Sequence, residues 1–180
     1  MNTSAWIRTY SGGKFYVLDP RAQDIRIKDI AHSLSLICRF TGHVKSFYSV
    51  AQHSVEVSTI CDPADALWGL LHDATEAYIG DLNRPLKHTP EMVRFRTTEK
   101  HIMLTIAEHF GLPAREPDSV KRADSQLVVT EARDLLSGGT RDWEGFDDVD
   151  PLPGRIIPQS PRTAEKIFLA RFKELDNLRR

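Results

Sequence analysis

Apolar residues recur every three or four positions along most of this chain, and this spacing constrains the fold more than any other feature of the sequence. Residues 25–37 show it with Ile30, Leu34 and Ile37, and residues 48–60 repeat it. A period near 3.6 places these residues on one face of an α-helix, and that face must be buried against another element. Several such segments in succession predict an all-α helical bundle.

Proline and glycine mark the ends of the predicted helices. Pro63, behind Asp62 as a predicted N-cap, opens a helix that ends at Gly80. Ser160 and Pro161 open the last helix. The remaining helices are predicted at residues 90–110, 117–136 and 161–180. At the N-terminus, WIRTY and KFYVL on either side of SGG predict a small β-hairpin.

The length of 180 residues predicts a single domain over residues 1–180, large enough to bury a core. No internal repeat or low-complexity linker divides it. Residues 137–160 contain the acidic stretch RDWEGFDDVD and three prolines, so this segment is predicted to be a loop in which the acidic stretch is solvated.

The charge balance and the cysteine usage exclude several classes of protein. The formal net charge of −1 gives no general attraction to nucleic acid or to anionic membranes. The first residues lack the pattern of a signal peptide, and no apolar stretch approaches the length of a membrane span. Cys38 and Cys61 fit a reducing compartment better than a disulfide framework. We therefore expect a cytoplasmic protein with no membrane partner and no stable nucleic-acid partner.

The stretch LLHDATEAYIGDL, residues 70–82, places charged side chains among apolar ones. On the predicted helix, His72 and Glu76 share one face and Asp73 lies beside them. Burying three such groups is costly unless something satisfies them. An exposed pair with a local hydrogen bond is the alternative for the His–Asp dipeptide taken alone.

Two other predicted helices direct metal-capable side chains inward as well. His53 lies near the apolar face of residues 48–60, and Asp124 and Glu131 fall within the apolar stripe of residues 117–136. A shared divalent cation would satisfy His53, His72, Asp73 and Asp124. Two imidazoles and two carboxylates suit Mn, Co, Fe or Zn with water at the open positions. Unrelated polar residues that are satisfied separately in the core remain the alternative.

Three segments of the chain resemble the HD-domain phosphohydrolases: AQHSVEV, LLHDATEAYIGDLNRPLK and KRADSQLVVTEARDL. The resemblance extends to CRFTGHVKSFYSVAQHS, which overlaps the first of them. The three segments look like the corresponding segments of bacterial 5'-deoxynucleotidases and of phage dATP triphosphohydrolases. The resemblance covers roughly residues 25–136, which would be the catalytic core. The resemblance implies an HD-domain helical bundle, one divalent metal ion held by His53, His72, Asp73 and Asp124, and hydrolysis of a deoxynucleotide phosphate ester.

The resemblance also implies catalytic roles for Glu76 and Asp81. Glu76 stands at the catalytic glutamate of the HDxxE pattern, where it can hydrogen-bond the attacking water. A metal ion lowers the pKa of such a water from about 15.7 toward 7. Asp81, in the GDL turn, would orient the water or protonate the departing 5'-oxygen.

Further residues match positions that contact the substrate in the resembling enzymes. Arg39 matches an arginine that clamps the nucleotide, Lys87 matches a lysine that contacts phosphate, and Phe40 stands where those enzymes have a tryptophan beside sugar and base. The nearby His43, Lys45 and Arg84 add positive charge or hydrogen-bond donors that suit a long phosphate tail.

The expected reaction is hydrolysis of a dNTP, with dATP preferred, to deoxynucleoside and inorganic triphosphate, with Mg²⁺ entering on the substrate phosphates as a second ion. A 5'-deoxynucleotidase acting on dNMPs is the first alternative. A non-catalytic nucleotide-binding module and a nuclease are weaker ones. We also expect a homo-oligomer, a dimer or larger.

Overall fold

The computed structural model describes residues 5–140 and 143–179. Arg141 and Asp142 of the predicted acidic loop, Arg180 of the predicted last helix and the first four residues lie outside the described part. Within it the chain is mostly helical, with a two-stranded antiparallel sheet before the helices, which confirms the predicted all-α fold with an N-terminal hairpin.

The hairpin pairs β1 (Trp6–Arg8) with β2 (Lys14–Tyr16), and Ile7 lies opposite Phe15. Gly12 adopts a φ of 84° in the turn, a conformation that glycine adopts without strain. Phe15 is fully buried, and its ring stacks on that of Tyr78 at 3.7 Å. The hairpin is therefore attached to the helical core through an aromatic contact.

The helices agree closely with the apolar spacing of the sequence. Their bounds are α1 (Ile27–Leu36), α2 (Val50–Ile60), α3 (Ala66–Leu71), α4 (Glu76–Ile79), α5 (Arg84–Lys87), α6 (Val93–Phe110), α7 (Asp118–Leu135) and α8 (Pro161–Leu178). Ser160 caps α8 by accepting a hydrogen bond from the Thr163 backbone N–H.

The single helix predicted from Pro63 to residue 79 is wrong in one respect, because the chain divides there. Pro63 begins a short 3₁₀ turn, and residues 72–75 form tight turns between α3 and α4. The Ala74 and Glu76 N–H groups donate to carbonyls three residues back, of Leu71 and Asp73, at 3.0 Å each. Asp62 makes no side-chain cap. His72 and Asp73 thus lie in a turn rather than in mid-helix.

Helix α2 lies at the centre of the bundle, in contact with α1, α3, α7 and α8. Gly69 lets α3 approach it closely, since a Cβ there would lie 2.9 Å from Cys61 Sγ and 3.2 Å from Ser58 Cα. The core between these helices contains fully buried residues from distant parts of the sequence, among them Ile30, Leu34, Leu70, Ile102 and Phe168.

The segment between α7 and α8 is non-helical in its described residues, as predicted, and its second half is tied to the bundle. Arg133 Nη1 donates to the Leu152 carbonyl at 2.6 Å, and Asp134 Oδ2 accepts from the Ile156 N–H at 2.9 Å. Leu152 and Ile156 pack against the core. Hydrogen bonds to α7 therefore hold residues 152–156, which follow the acidic stretch, in place against the bundle.

In the described part of the chain, no helix combines the length and the apolar character that crossing a membrane requires.

Candidate metal centre

The four predicted metal ligands come from three parts of the bundle, and the structure places them next to one another. His53 lies on α2, His72 and Asp73 lie in the turn after α3, and Asp124 lies on α7. His53 Nε2 is 3.2 Å from His72 Nε2 and 3.2 Å from Asp124 Oδ1. Asp73 Oδ2 is 3.3 Å from His72 Nε2 and 3.6 Å from His53 Nε2.

These separations fit a single metal ion. Ligands bound at about 2.0–2.2 Å lie roughly 3.0–3.5 Å from one another around one ion. The ligand atoms of His53, His72 and Asp73 all lie within 4.8 Å of one another, and Asp124 Oδ1 is 3.9 Å from His72 Nε2. His53, His72 and Asp73 can therefore hold a metal ion, and the Asp124 carboxylate lies beside them.

The outer nitrogens of both imidazoles are already engaged. His53 Nδ1 donates to Glu131 Oε1 at 2.6 Å, and His72 Nδ1 donates to the Gly69 carbonyl at 2.8 Å. With both Nδ1 atoms protonated, the two Nε2 atoms of neutral rings present lone pairs to each other and to the carboxylates. Such an arrangement is favourable only with a proton or a cation at its centre.

The electrostatics of the cluster attract positive charge. Burial and Arg39 oppose protonation of His53, but Glu131 and Asp124 outweigh them and raise the pKa of His53 to about 10. Burial likewise opposes ionisation of Asp73, yet the neighbouring His72 lowers the pKa of Asp73 well below its ordinary value. The same side chains that attract protons to this point would attract a divalent cation.

Glu131 joins the cluster to Arg39. Its carboxylate is fully buried, and Oε2 accepts from Arg39 Nη2 at 3.0 Å while Oε1 is bonded to His53. Burial alone would raise the pKa of Glu131, but Arg39 and His53 lower it, so the group is ionised. Arg39 Nη1 also approaches Asp73 Oδ2 at 3.7 Å. One buried carboxylate thus orients a ligand histidine and an arginine together.

We expect Glu131→Gln to weaken metal binding by about 10–100-fold, the usual effect of losing a partner that orients a metal ligand. The amide retains a hydrogen-bond acceptor for His53 but loses the charge that balances His53 and Arg39. Competition with a chromophoric chelator measures this affinity. Glu56→Gln is the matched control, since the Glu56 carboxylate bonds to Tyr48 and Gln52 rather than to a ligand. Equal losses in the two variants would assign Glu131 a purely structural role.

Glu76 borders the cluster and is nearly completely buried. Burial, reinforced by the charges of Asp73 and Asp81, raises the pKa of Glu76 well above its ordinary value. Among the described residues, none forms a hydrogen bond with Glu76 Oε2. Burial also raises the pKa of Asp81. The site therefore contains two carboxyl groups that can hold protons.

The predicted substrate-binding residues differ in their surroundings. Lys87 Nζ pairs with Glu99 Oε1 at 2.6 Å, a contact that the sequence did not indicate. Lys45 belongs to the loop before α2 and lies against the C-terminal end of α7, where its backbone N–H donates to the Leu135 carbonyl at 2.9 Å. His43 and Lys45 are exposed, and no contact described for this part of the chain joins either to the metal ligands. Arg84 is exposed at the start of α5.

Phe40 and Thr41 have left-handed backbone conformations, with φ of 54° and 53°. This conformation costs a non-glycine residue roughly 1–2 kcal/mol. The two residues directly follow Arg39, whose contacts with Glu131 and Asp73 fix the chain at this point. The strained turn positions the Phe40 ring at 5.3 Å from the Arg39 guanidinium carbon.

Sequence reasoning missed three residues near the site. Glu116 precedes α7. Its pKa is raised, because the effect of burial outweighs the opposite effect of the nearby His72. Trp143 and Phe146 of the acidic loop are half-buried, and the Trp143 ring lies 6.1 Å from that of Phe40. All three lie outside the helices, where no periodic pattern marks the residues that face a site.

Comparison with known proteins finds close relatives without a stated activity. The chain is 40% identical over 180 residues to the Escherichia coli (strain K12) protein named "Uncharacterized protein YfdR", and the match covers 98% of each chain. A Rhodobacter capsulatus protein, also named as uncharacterized, is 38% identical over 140 residues, which cover 72% of this chain and 70% of that protein. No family model matches the chain.

Proposed function

We propose that this chain, which belongs to the family of the Escherichia coli protein YfdR, is a metal-dependent phosphohydrolase that acts on deoxynucleotides. One observation carries the proposal: the Nε2 atoms of His53 and His72 lie 3.2 Å apart and face the carboxylates of Asp73 and Asp124. The Nδ1 atom of each ring is already hydrogen-bonded, to Glu131 and to the Gly69 carbonyl, so only the Nε2 atoms are left to bind a metal ion. The resemblance of the segments around these residues to HD-domain phosphohydrolases supports the same assignment.

The metal proposed for this site is a single divalent transition ion, Mn, Co, Fe or Zn, held by His53, His72, Asp73 and Asp124. Mixed imidazole and carboxylate ligands suit these ions, and Mg²⁺ would enter with the substrate phosphates. When bound, the ion supplies Lewis acidity and lowers the pKa of a water molecule from about 15.7 toward 7.

The protein's own residues divide the proton transfers between them. Glu76 Oε2, which lacks a partner among the described residues, accepts the proton that the attacking water gives up. Asp81, whose pKa burial raises, donates a proton to the departing 5'-oxygen. Arg39 holds a positive charge 3.7 Å from Asp73 and balances charge on the phosphate as it approaches.

The proposed substrate is a dNTP, and dATP is the first candidate because of the resemblance. Water attacks the α-phosphorus and the bond from this phosphorus to O5' breaks, which yields deoxynucleoside and inorganic triphosphate. The cationic residues Arg39, Lys45 and Lys87, with His43, would contact the outer phosphates.

The 5'-deoxynucleotidase alternative rests on one specific contact. Lys87 is paired with Glu99, and this pairing neutralises one of the cations that a triphosphate would need. A monophosphate places less negative charge at this point and requires fewer cations. The two activities share the attack on the α-phosphorus and differ only in the length of the phosphate tail.

Product analysis tests the proposal. Protein loaded separately with Mn²⁺, Co²⁺, Zn²⁺ and Fe²⁺ is incubated with dNTPs, dNMPs and ribonucleotides, and the products are separated by ion-exchange chromatography. Deoxyadenosine and triphosphate from dATP are the expected products. Cleavage of dNMPs alone would establish the nucleotidase alternative. Formation of pyrophosphate and dNMP would contradict attack that breaks the bond to O5'.

A further inference from the structure

The described part of the acidic loop after α7 carries two aromatic rings that continue from the Phe40 ring. The Trp143 ring lies 6.1 Å from that of Phe40, and the Phe146 ring lies 5.9 Å from that of Trp143. Trp143 and Phe146 are half-buried, although the charged residues described in the same segment are exposed. Phe40, Trp143 and Phe146 form a continuous aromatic row.

Both ends of the aromatic row adjoin residues of the proposed site. The Arg39 guanidinium carbon lies 5.3 Å from the centre of the Phe40 ring, and the same guanidinium approaches Asp73 at 3.7 Å. At the other end, the Arg84 guanidinium carbon lies 5.8 Å from the centre of the Phe146 ring. The row therefore extends from the buried edge of the metal centre to the exposed start of α5.

The left-handed backbone at Phe40 is a second observation that concerns this row. The short turn Arg39–Gly42 holds Phe40 and Thr41 at positive φ, which few side chains adopt without a fixed environment. Arg39 provides that environment through its bonds to Glu131 and Asp73. The position of the Phe40 ring is thus determined by the residues that form the metal centre.

The charges around the row indicate which part of a nucleotide would lie against it. Glu144, Asp147 and Asp148 are exposed on the same loop and would repel phosphate. Phosphates would therefore lie toward the metal ligands and Arg39, and the uncharged base would lie toward Trp143. Aromatic side chains bind bases by stacking, and a bicyclic purine offers more surface for stacking than a pyrimidine does.

We infer that Trp143, together with Phe146 and Phe40, forms the wall that recognises the base of the substrate and favours purines. This inference rests on the proposed action on deoxynucleotides and adds to it a specificity-determining residue outside the segments that resemble known enzymes. Trp143 contacts the base and takes no part in the proton transfers.

Binding measurements separate recognition of the base from recognition of the phosphates. Isothermal titration uses metal-loaded protein with Glu76→Gln in every sample, so that nucleotides are not consumed, and the probes are dATP, dCTP and inorganic triphosphate. Trp143→Leu should weaken dATP binding by roughly 5- to 100-fold, weaken dCTP binding less, and leave triphosphate binding unchanged. Trp143→Phe, which retains an aromatic face, should restore most of the dATP affinity.

Trp6→Leu is the matched control, because Trp6 is an exposed tryptophan of the hairpin that packs beside Arg8 and Lys14. It should bind all three probes as the parent protein does, and thermal unfolding should verify that both variants are folded. Unchanged dATP affinity in Trp143→Leu, or equal losses for dATP and triphosphate, would overturn the inference.

The two proposals fail in different ways. If the parent protein binds dATP and Trp143→Leu weakens that binding, but the unsubstituted enzyme cleaves no nucleotide, the base wall stands and the hydrolase function fails. If the enzyme cleaves deoxynucleotides and Trp143→Leu neither weakens dATP binding nor changes the preference for purines, only the base wall fails. A chain that binds no nucleotide would overturn both.

Discussion

Replacement of His72 by alanine should remove the metal from the protein and with it nearly all catalytic turnover. His72 Nε2 lies within 3.2–3.9 Å of the ligand atoms of His53, Asp73 and Asp124, so the substitution removes a direct ligand at the centre of the set. The loss of metal affinity should exceed the roughly 10–100-fold expected for residues that only orient a ligand. Elemental analysis after dialysis against a chelator measures the metal retained.

A second histidine provides the control for this result. His101 is exposed on α6, and His101→Ala should retain metal and activity as the unsubstituted chain does. Circular dichroism of both variants shows whether the helical fold persists. Stoichiometric metal in folded His72→Ala would contradict the assignment of His72 as a ligand.

Replacement of Glu76 by glutamine should lower turnover by about 10²–10⁴-fold while metal and nucleotide binding remain. The amide preserves the shape of the side chain but cannot accept a proton from water. Glu76 is suited to this role because it is buried beside Asp73 and Oε2 has no hydrogen-bond partner in the described part of the chain. Steady-state kinetics on the best substrate, with metal content measured in parallel, test the expectation.

Glu56→Gln serves as the control for this substitution too. Burial also raises the pKa of Glu56, but its carboxylate accepts hydrogen bonds from Tyr48 and Gln52 and forms none with His53. Turnover should be unaffected in Glu56→Gln. Equal turnover in Glu76→Gln and the unsubstituted enzyme would show that Glu76 does not transfer the proton.

Helical spacing predicted which side chains of α2 and α7 face the candidate metal centre. His53, Asp124 and Glu131 lie on the inward faces that the apolar residues define, and the structure brings them together with His72 and Asp73. The hairpin was predictable as well, because SGG between two β-prone segments favours a tight turn. These features depend on local periodicity, which a single sequence retains.

The division between α3 and α4 was not predictable in this way. Residues 72–75 have the composition of a helix, and the choice between bonds to the third and to the fourth preceding carbonyl depends on their surroundings. One such influence is His72 Nδ1, which occupies the Gly69 carbonyl. The spacing of apolar residues indicates which face of a helix a residue occupies. It does not indicate which backbone carbonyls remain free to accept a hydrogen bond from that residue's N–H.

Contacts between distant loops and helices were also beyond the sequence. The pairing of Lys87 with Glu99 joins α5 to α6, and the contact of Trp143 with Phe40 joins two non-periodic segments. Each residue alone is compatible with exposure to solvent. Only the folded chain shows that Lys87 is paired with Glu99 and that Trp143 packs against Phe40, beside the proposed site.

The packing of α8 against α1 and α2 affects how the protein can fold during synthesis. Roughly 125 residues separate the end of α1 from the start of α8, and a ribosome adding about 5–20 residues per second needs on the order of 6–25 seconds to produce them. During that time the apolar face with Ile30 and Leu34 lacks its last partner, since Phe168 has not been made. Until α8 has been synthesised, this part of the apolar face of α1 therefore stays without the helix that covers it.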